Sequence, residues 1–149
     1  MSAVSPRLAE IVQALPLRAG LRVLEIGCGP GVAARAVAER VGPSGFVLGI
    51  DRSAKAIAQA IAGSRDAIAS GRLAFRQVAI EDFVLESGEN CYDLAFAVRV
   101  GALDGRHPEA GLRAIGRLRA ALVRGGQLFI DGGDPLREFA LERQAPARR

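Results

Sequence analysis

Between Val23 and Gly31 the chain reads Val-Leu-Glu-Ile-Gly-Cys-Gly-Pro-Gly, and Asp51 follows twenty residues later. An apolar run, a glycine cluster and an alanine-rich helical segment form a strand–turn–helix unit. Glycines at 27, 29 and 31 remove side chains where backbone must pass close to a ligand. A carboxylate at the end of the following strand can accept from ribose hydroxyls. The dinucleotide fingerprint G-x-G-x-x-G needs a glycine at position 32, where Val32 stands. The spacing is therefore G-x-G-x-G, with Glu25 two residues before the first glycine. A tight turn without a ligand would explain one glycine or two. Three glycines, Glu25, an apolar strand and Asp51 together predict a nucleoside-type ligand.

The remaining chain alternates in the same way. Ser5-Pro6 opens a helix with a capping side chain and a proline at its first position, and Pro16 closes it. Strands are predicted over 22–26, 46–50, 73–78, 92–98 and 127–131. Between them lie helices over 32–41, from the Ser53 cap to about 69, and over 107–123, with a short last helix over 135–143. Strands one, four and five are apolar nearly end to end, which is the pattern of a parallel sheet covered on both faces. The expected fold is α/β, doubly wound and mainly parallel, with five strands. Residues 1–143 form one domain and 144–149 a flexible basic tail.

The 149 residues suffice for one domain with a real core. Net charge is +4, and Lys55 is the only lysine among twenty basic residues. No basic stripe interleaved with aromatics appears, which argues against a nucleic-acid partner. Cys28 and Cys91 are too few and too separated for a disulfide framework or a zinc site, so no metal is expected. Cys28 fits the turn as a small packing residue. No segment reaches the roughly 20 apolar residues of a membrane span, and a cytoplasmic protein is expected.

Taken together, these segments resemble the core of the class I S-adenosylmethionine-dependent methyltransferases over almost the whole chain. Val23–Gly31 matches the family's first motif and Gly49–Ser53 its second. Tyr92–Val100 resembles the strand-four motif, and Leu122–Ile130 the glycine turn before strand five. The resemblance implies a sheet order of 3-2-1-4-5 and S-adenosylmethionine as cofactor. It implies that Gly27, Cys28, Gly29 and Gly31 approach the cofactor's methionine portion, with Glu25 near the ammonium end. Asp51 would hold both ribose hydroxyls and Arg52 would flank the adenine. Ala79, Ile80 and Ala97 complete the implied set. The family usually places an Asp where Ala79 stands, as acceptor for the adenine amino group; Glu81 and Asp82 are alternative acceptors, and a solvated loop charge is the plainer reading of each.

A methyl on a sulfonium is already activated, so the protein's main task is to align the acceptor and exclude water. A base is needed only where the acceptor must lose a proton. Weak catalytic candidates follow strand four. Arg99 suits an anionic acceptor better than base chemistry, and His107, the only histidine, precedes Pro108 as a helix-end residue would. Asp131 and Asp134 either line the acceptor pocket or cap the last helix. The expected acceptor is a small molecule. Two other readings stay open: an S-adenosylmethionine-binding protein that needs a partner to act, and a nicotinamide-dependent oxidoreductase, which Val32 disfavours. Eighteen residues follow Asp131, too few for the family's last helix and antiparallel hairpin. Strand five is then expected at the sheet edge, and an apolar edge invites a homodimer there.

Overall fold

A computed structural model describes residues 4–141. Six strands form one sheet in the order β3-β2-β1-β4-β5-β6. They are β1 (Arg22–Ile26), β2 (Phe46–Asp51), β3 (Leu73–Gln77), β4 (Tyr92–Ala97), β5 (Leu122–Asp131) and β6 (Leu136–Phe139). The first five run parallel, and β6 is antiparallel to β5. The helices are α1 (Pro6–Ala14), α2 (Val32–Val41), α3 (Ala54–Ala62), α4 (Arg65–Ala69) and α5 (Pro108–Ala121).

Alternation along the strands sends successive side chains to opposite faces. Val23, Val47, Leu94 and Phe96 face α1 and α2, where Ala33, Ala34, Val37 and Ala38 are buried. Leu24, Ile26, Leu48, Ile50, Ala95, Ala97, Leu128 and Ile130 face the other way, toward Leu118 and Ala114 of α5. Glu25 belongs by parity to the α2 face, where the small alanines bring helix and sheet close together. From β1 the chain winds outward through β2 to β3, then crosses back to β4 on β1's other side. That reversal opens a crevice above the carboxyl ends of β1 and β4, where open parallel sheets bind ligands.

Two expectations about the carboxyl-terminal part are corrected. No helix forms from Pro135 among the described residues. Instead β6 pairs with β5, Asp131 opposite Leu136 and Leu128 opposite Phe139. Gly132, at φ 113, begins the reversal in a conformation that side chains disfavour. A helix there would have left the outer N–H and C=O groups of β5 unpaired, and the hairpin satisfies them. Strand five is thus interior, and the edge on which a homodimer was expected is occupied by β6. Positions 142–149, with the end of the expected helix and the expected tail, lie outside the described residues.

Smaller differences have local causes. The helix expected from Ser53 to 69 breaks at Gly63-Ser64 into α3 and α4, and the Arg35 guanidinium fills the break by donating to Ser64 Oγ at 2.9 Å. Strand β5 begins at Leu122 and shifts register against β4 between Tyr92 and Leu94. The loop after β3 contains a single 3-10 turn, Ile80–Asp82. No helix among the described residues is long and apolar enough to cross a membrane.

Candidate functional site

The glycine turn is stitched to β2, because the N–H groups of Gly27 and Cys28 both donate to the Ile50 carbonyl, at 2.8 and 2.9 Å. Gly27, Gly29 and Gly31 all lie at positive φ, at 71°, 54° and 87°. They differ in what a side chain would meet. A Cβ on Gly31 would stand 2.9 Å from Phe75 Cζ, and one on Gly27 would stand 2.9 Å from Val100 Cγ2. A Cβ on Gly29 would meet nothing within 4 Å. Gly31 is therefore a packing glycine, while Gly29 borders open space.

Asp51 closes this space from β2. Its Oδ2 accepts from Gly29 N–H and its Oδ1 from Ser53 N–H, each at 2.9 Å. Those two bonds fix the carboxylate's orientation and leave lone pairs on both oxygens, which suits a vicinal diol. Glu25 stands behind the turn, 5 % exposed. It accepts from the backbone of Ala34 in the first turn of α2, which is the capping role that a carboxylate plays at a helix N-terminus. Its Oε1 is buried without a partner among the described residues. Burial raises the Glu25 pKa well above the ordinary 4.5, and the nearby Asp51 charge adds to the rise. A cation at Oε1 would offset both effects. The same burial, with Glu25 and Asp51 nearby, pushes the Cys28 thiol up, so it stays protonated at neutral pH.

A cleft of about 920 Å³ lies at the sheet's carboxyl end. Gly27, Asp51, Arg52, Ala79, Ile80 and Glu81 line it from the β1–β3 side. The Arg117 guanidinium donates to the Glu81 carbonyl at 3.1 Å and ties the 3-10 turn to α5. Asp82 is exposed and does not line the cleft. Ala97 does not either: it is 1 % exposed, in the core with Ile26 and Ile130, and the chain reaches the cleft only at Val98. Glu25, in β1, and Cys28, Gly29 and Gly31, in the turn, are not part of the cleft wall.

The opposite wall is the loop after β4 and the start of α5. Arg99 is the one non-glycine residue at positive φ among those described, at 59°, and its N–H donates to Asp131 Oδ1 at 3.1 Å. Asp131 also faces Arg7 of α1 at 3.9 Å. His107 is the N-cap residue of α5 without a side-chain capping bond. Its ring packs on Gly101, where a Cβ would stand 2.6 Å from His107 Cδ2. Asp134, expected as a helix cap or pocket residue, belongs to the β5–β6 reversal. Arg106 and Arg113 also line the cleft, and the sequence alone singles out neither. Arg113 sits one and a half turns into a helix whose register against the sheet no local pattern fixes. Arg106 is held by Asp104, with 3.0 and 2.9 Å contacts from Nε. Among the described residues no group of three His, Cys, Asp or Glu could hold a metal ion.

This arrangement fits a ligand carrying a diol and an ammonium group. Residues 17–140 match a family model described as a methyltransferase domain. A Streptomyces coelicolor protein named as an uncharacterized RNA methyltransferase is 32% identical over 131 residues, 83% of this chain and 28% of that protein. Among solved structures, a SAM-dependent methyltransferase from Aquifex aeolicus superposes with a TM-score of 0.69 at 18% identity, over 85% of this chain and 67% of that one. One from Geobacter sulfurreducens, solved with S-adenosyl-L-homocysteine, gives 0.64 at 25% identity, over 85% of this chain and 48% of that one. The chain thus spans under a third of the Streptomyces protein and about half to two thirds of these solved chains.

Proposed function

This chain belongs to the methyltransferase-domain family, and we propose that it binds S-adenosylmethionine above β1 and β2 and transfers the methyl group to a small acceptor. The observation that carries the reading is the Asp51 carboxylate, oriented by two backbone N–H groups beside the open face of Gly29. In this reading Asp51 takes the ribose hydroxyls, and the unpartnered Glu25 Oε1 takes the ammonium group. Arg52 flanks the adenine from the cleft wall, and Ile80 supplies an apolar contact. Ala79 offers no side-chain acceptor to the adenine amino group; the half-buried Glu81, which lines the cleft, stands nearer that task than the exposed Asp82.

The bound cofactor supplies an electrophilic methyl on a sulfonium, open to in-line displacement. The chain's own residues orient and enclose the reactants. Val98–Ala102 and His107–Ala110 form the wall on which an acceptor would lie, and alignment there supplies much of the rate. An acceptor that arrives with a free lone pair needs no base. For one that must lose a proton, His107 is the cleft's only imidazole.

Two measurements test the reading. Thermal shifts with S-adenosylmethionine, S-adenosylhomocysteine and NADH should show stabilisation by the first two alone. Turnover on a panel of small acceptors and RNA should then yield methylated small molecules. Stabilisation by NADH alone would overturn the cofactor assignment, and methylation of RNA alone would overturn the acceptor class.

A further inference from the structure

Charge in the cleft is unevenly divided. Asp51, Arg52 and Glu81 lie on the β1–β3 side, two carboxylates to one guanidinium, while Arg99, Arg106 and Arg113 lie with Glu109 on the side of the β4 loop and α5. Asp104 neutralises Arg106. The guanidiniums of Arg99 and Arg113 have no ion pair or hydrogen bond among the described residues. They line the same cleft from different elements; Glu109 is the one carboxylate lining that side, and the Asp131 carboxylate lies beside the Arg99 backbone.

The backbone at Arg99 adds an independent sign. A non-glycine residue at φ 59° is strained. The strain is held by the Arg99 N–H bond to Asp131, which Arg7 in turn braces. Asp131 thus holds the backbone that carries the Arg99 side chain at the mouth of the crevice. Helix α5 also begins in this wall without a side-chain cap, so its partial positive charge faces the cleft, with Glu109 as the one first-turn carboxylate.

We infer that the small acceptor carries a carboxylate or phosphate, gripped by Arg99 from the β4 loop and by Arg113 from α5. A guanidinium presents a planar fork of donors that matches either anion. A cationic cofactor on the side of Asp51 and Glu81 would then meet an anionic acceptor on the side of Arg99 and Arg113, and the uneven charge of the cleft would set the orientation of both. This inference deepens the proposed function and rests on it for the acceptor's role, but not for the anion's binding.

The test is a titration of 15N-labelled protein with phenyl phosphate, benzoate and phenol, with and without S-adenosylhomocysteine. Both anions should bind at least about tenfold more tightly than phenol, shifting the amides of residues 98–113. The pair Arg99→Gln and Arg113→Gln should abolish that preference. The pair Arg40→Gln and Arg65→Gln, on exposed helix positions away from the cleft, changes the net charge equally and should keep it. The inference is overturned by equal binding of phenol, by a preference that survives in the cleft variant, or by an equal loss in the control. An oligoribonucleotide that displaces phenyl phosphate at lower phosphate concentration overturns a small acceptor. Should S-adenosylhomocysteine fail to bind while the anion preference holds, the cofactor reading falls and the anion site stands. Should it bind with no anion preference, only this inference falls.

Discussion

At Glu25 a single carboxyl group accepts from Ala34 at the start of α2 and leaves Oε1 buried without a hydrogen-bond partner among the described residues. Its raised pKa makes the stability of the fold depend on pH. The unfolded side chain ionises near 4.5, whereas the folded one holds its proton to higher pH. Above 4.5 the folded state therefore binds more protons, and stability falls as pH rises, by up to about 1.4 kcal/mol per pH unit until the folded group also ionises. Glu25→Gln should lack this decline, so denaturant unfolding between pH 5 and 8 should show the variant gaining on the parent. Parallel curves would mean that Glu25 is already ionised. The same variant should bind S-adenosylhomocysteine about tenfold or more weakly, because an ammonium loses a charged partner. At Ala79 the backbone is extended, φ −80° and ψ 150°, so an aspartate fits without strain. Ala79→Asp should tighten cofactor binding by about 0.5–1.5 kcal/mol in calorimetry. A marked loss would mean that Glu81 already serves the adenine. The glycine set was legible in the sequence, but the division of labour within it was not. Phe75 and Val100, which oblige positions 31 and 27 to lack side chains, come from β3 and the β4 loop, and no spacing rule brings them to the turn.

Among the elements, the β5–β6 hairpin decides what the sheet exposes. The Asp131–Pro135 stretch reads as a turn by composition, and the ambiguity lies in the segment beyond it. Leu136–Phe139 is too short for alternation to distinguish a strand from a helix end, and the unpaired edge of β5 settles it. Gly132 holds the reversal at φ 113°, and a Cβ there would approach only Arg137 Nε, at 3.7 Å. Conformation rather than space is thus the constraint. Gly132→Val should cost roughly 1–3 kcal/mol in denaturant unfolding. It should also speed amide exchange in Leu128–Asp131, which the parent should protect strongly. Unchanged exchange in the variant would show that β5 does not depend on this reversal. The parallel strands were easier to read, since each carries a short apolar stretch in an alternation of strands and helices. The break at Gly63-Ser64 was passed over although glycine marks it, and Arg35 fills it from another helix.

Across the whole molecule, the alternation of strands and helices made the doubly wound class legible. The strand order rested on likeness, since periodicity does not say which strands become neighbours. The order in turn opens the crevice above β1 and β4, with Asp51, Arg52 and Glu81 on one side of the cleft and Arg99, Arg106 and Arg113 on the other. What the sequence hid was the far wall. Arg106, before α5, and Arg113, within it, look like ordinary surface arginines until α5 is docked on the sheet. The proposed function stands on Asp51 holding the cofactor's ribose beside the open face of Gly29. Its most direct test is calorimetric titration of S-adenosylhomocysteine into the parent and Asp51→Ala. The parent should bind, and the variant should lose about 1.5–3 kcal/mol, roughly tenfold to somewhat over a hundredfold in affinity, as the ribose hydroxyls lose charge-assisted bonds. Equal affinity in the two proteins, with the variant folded, would contradict it.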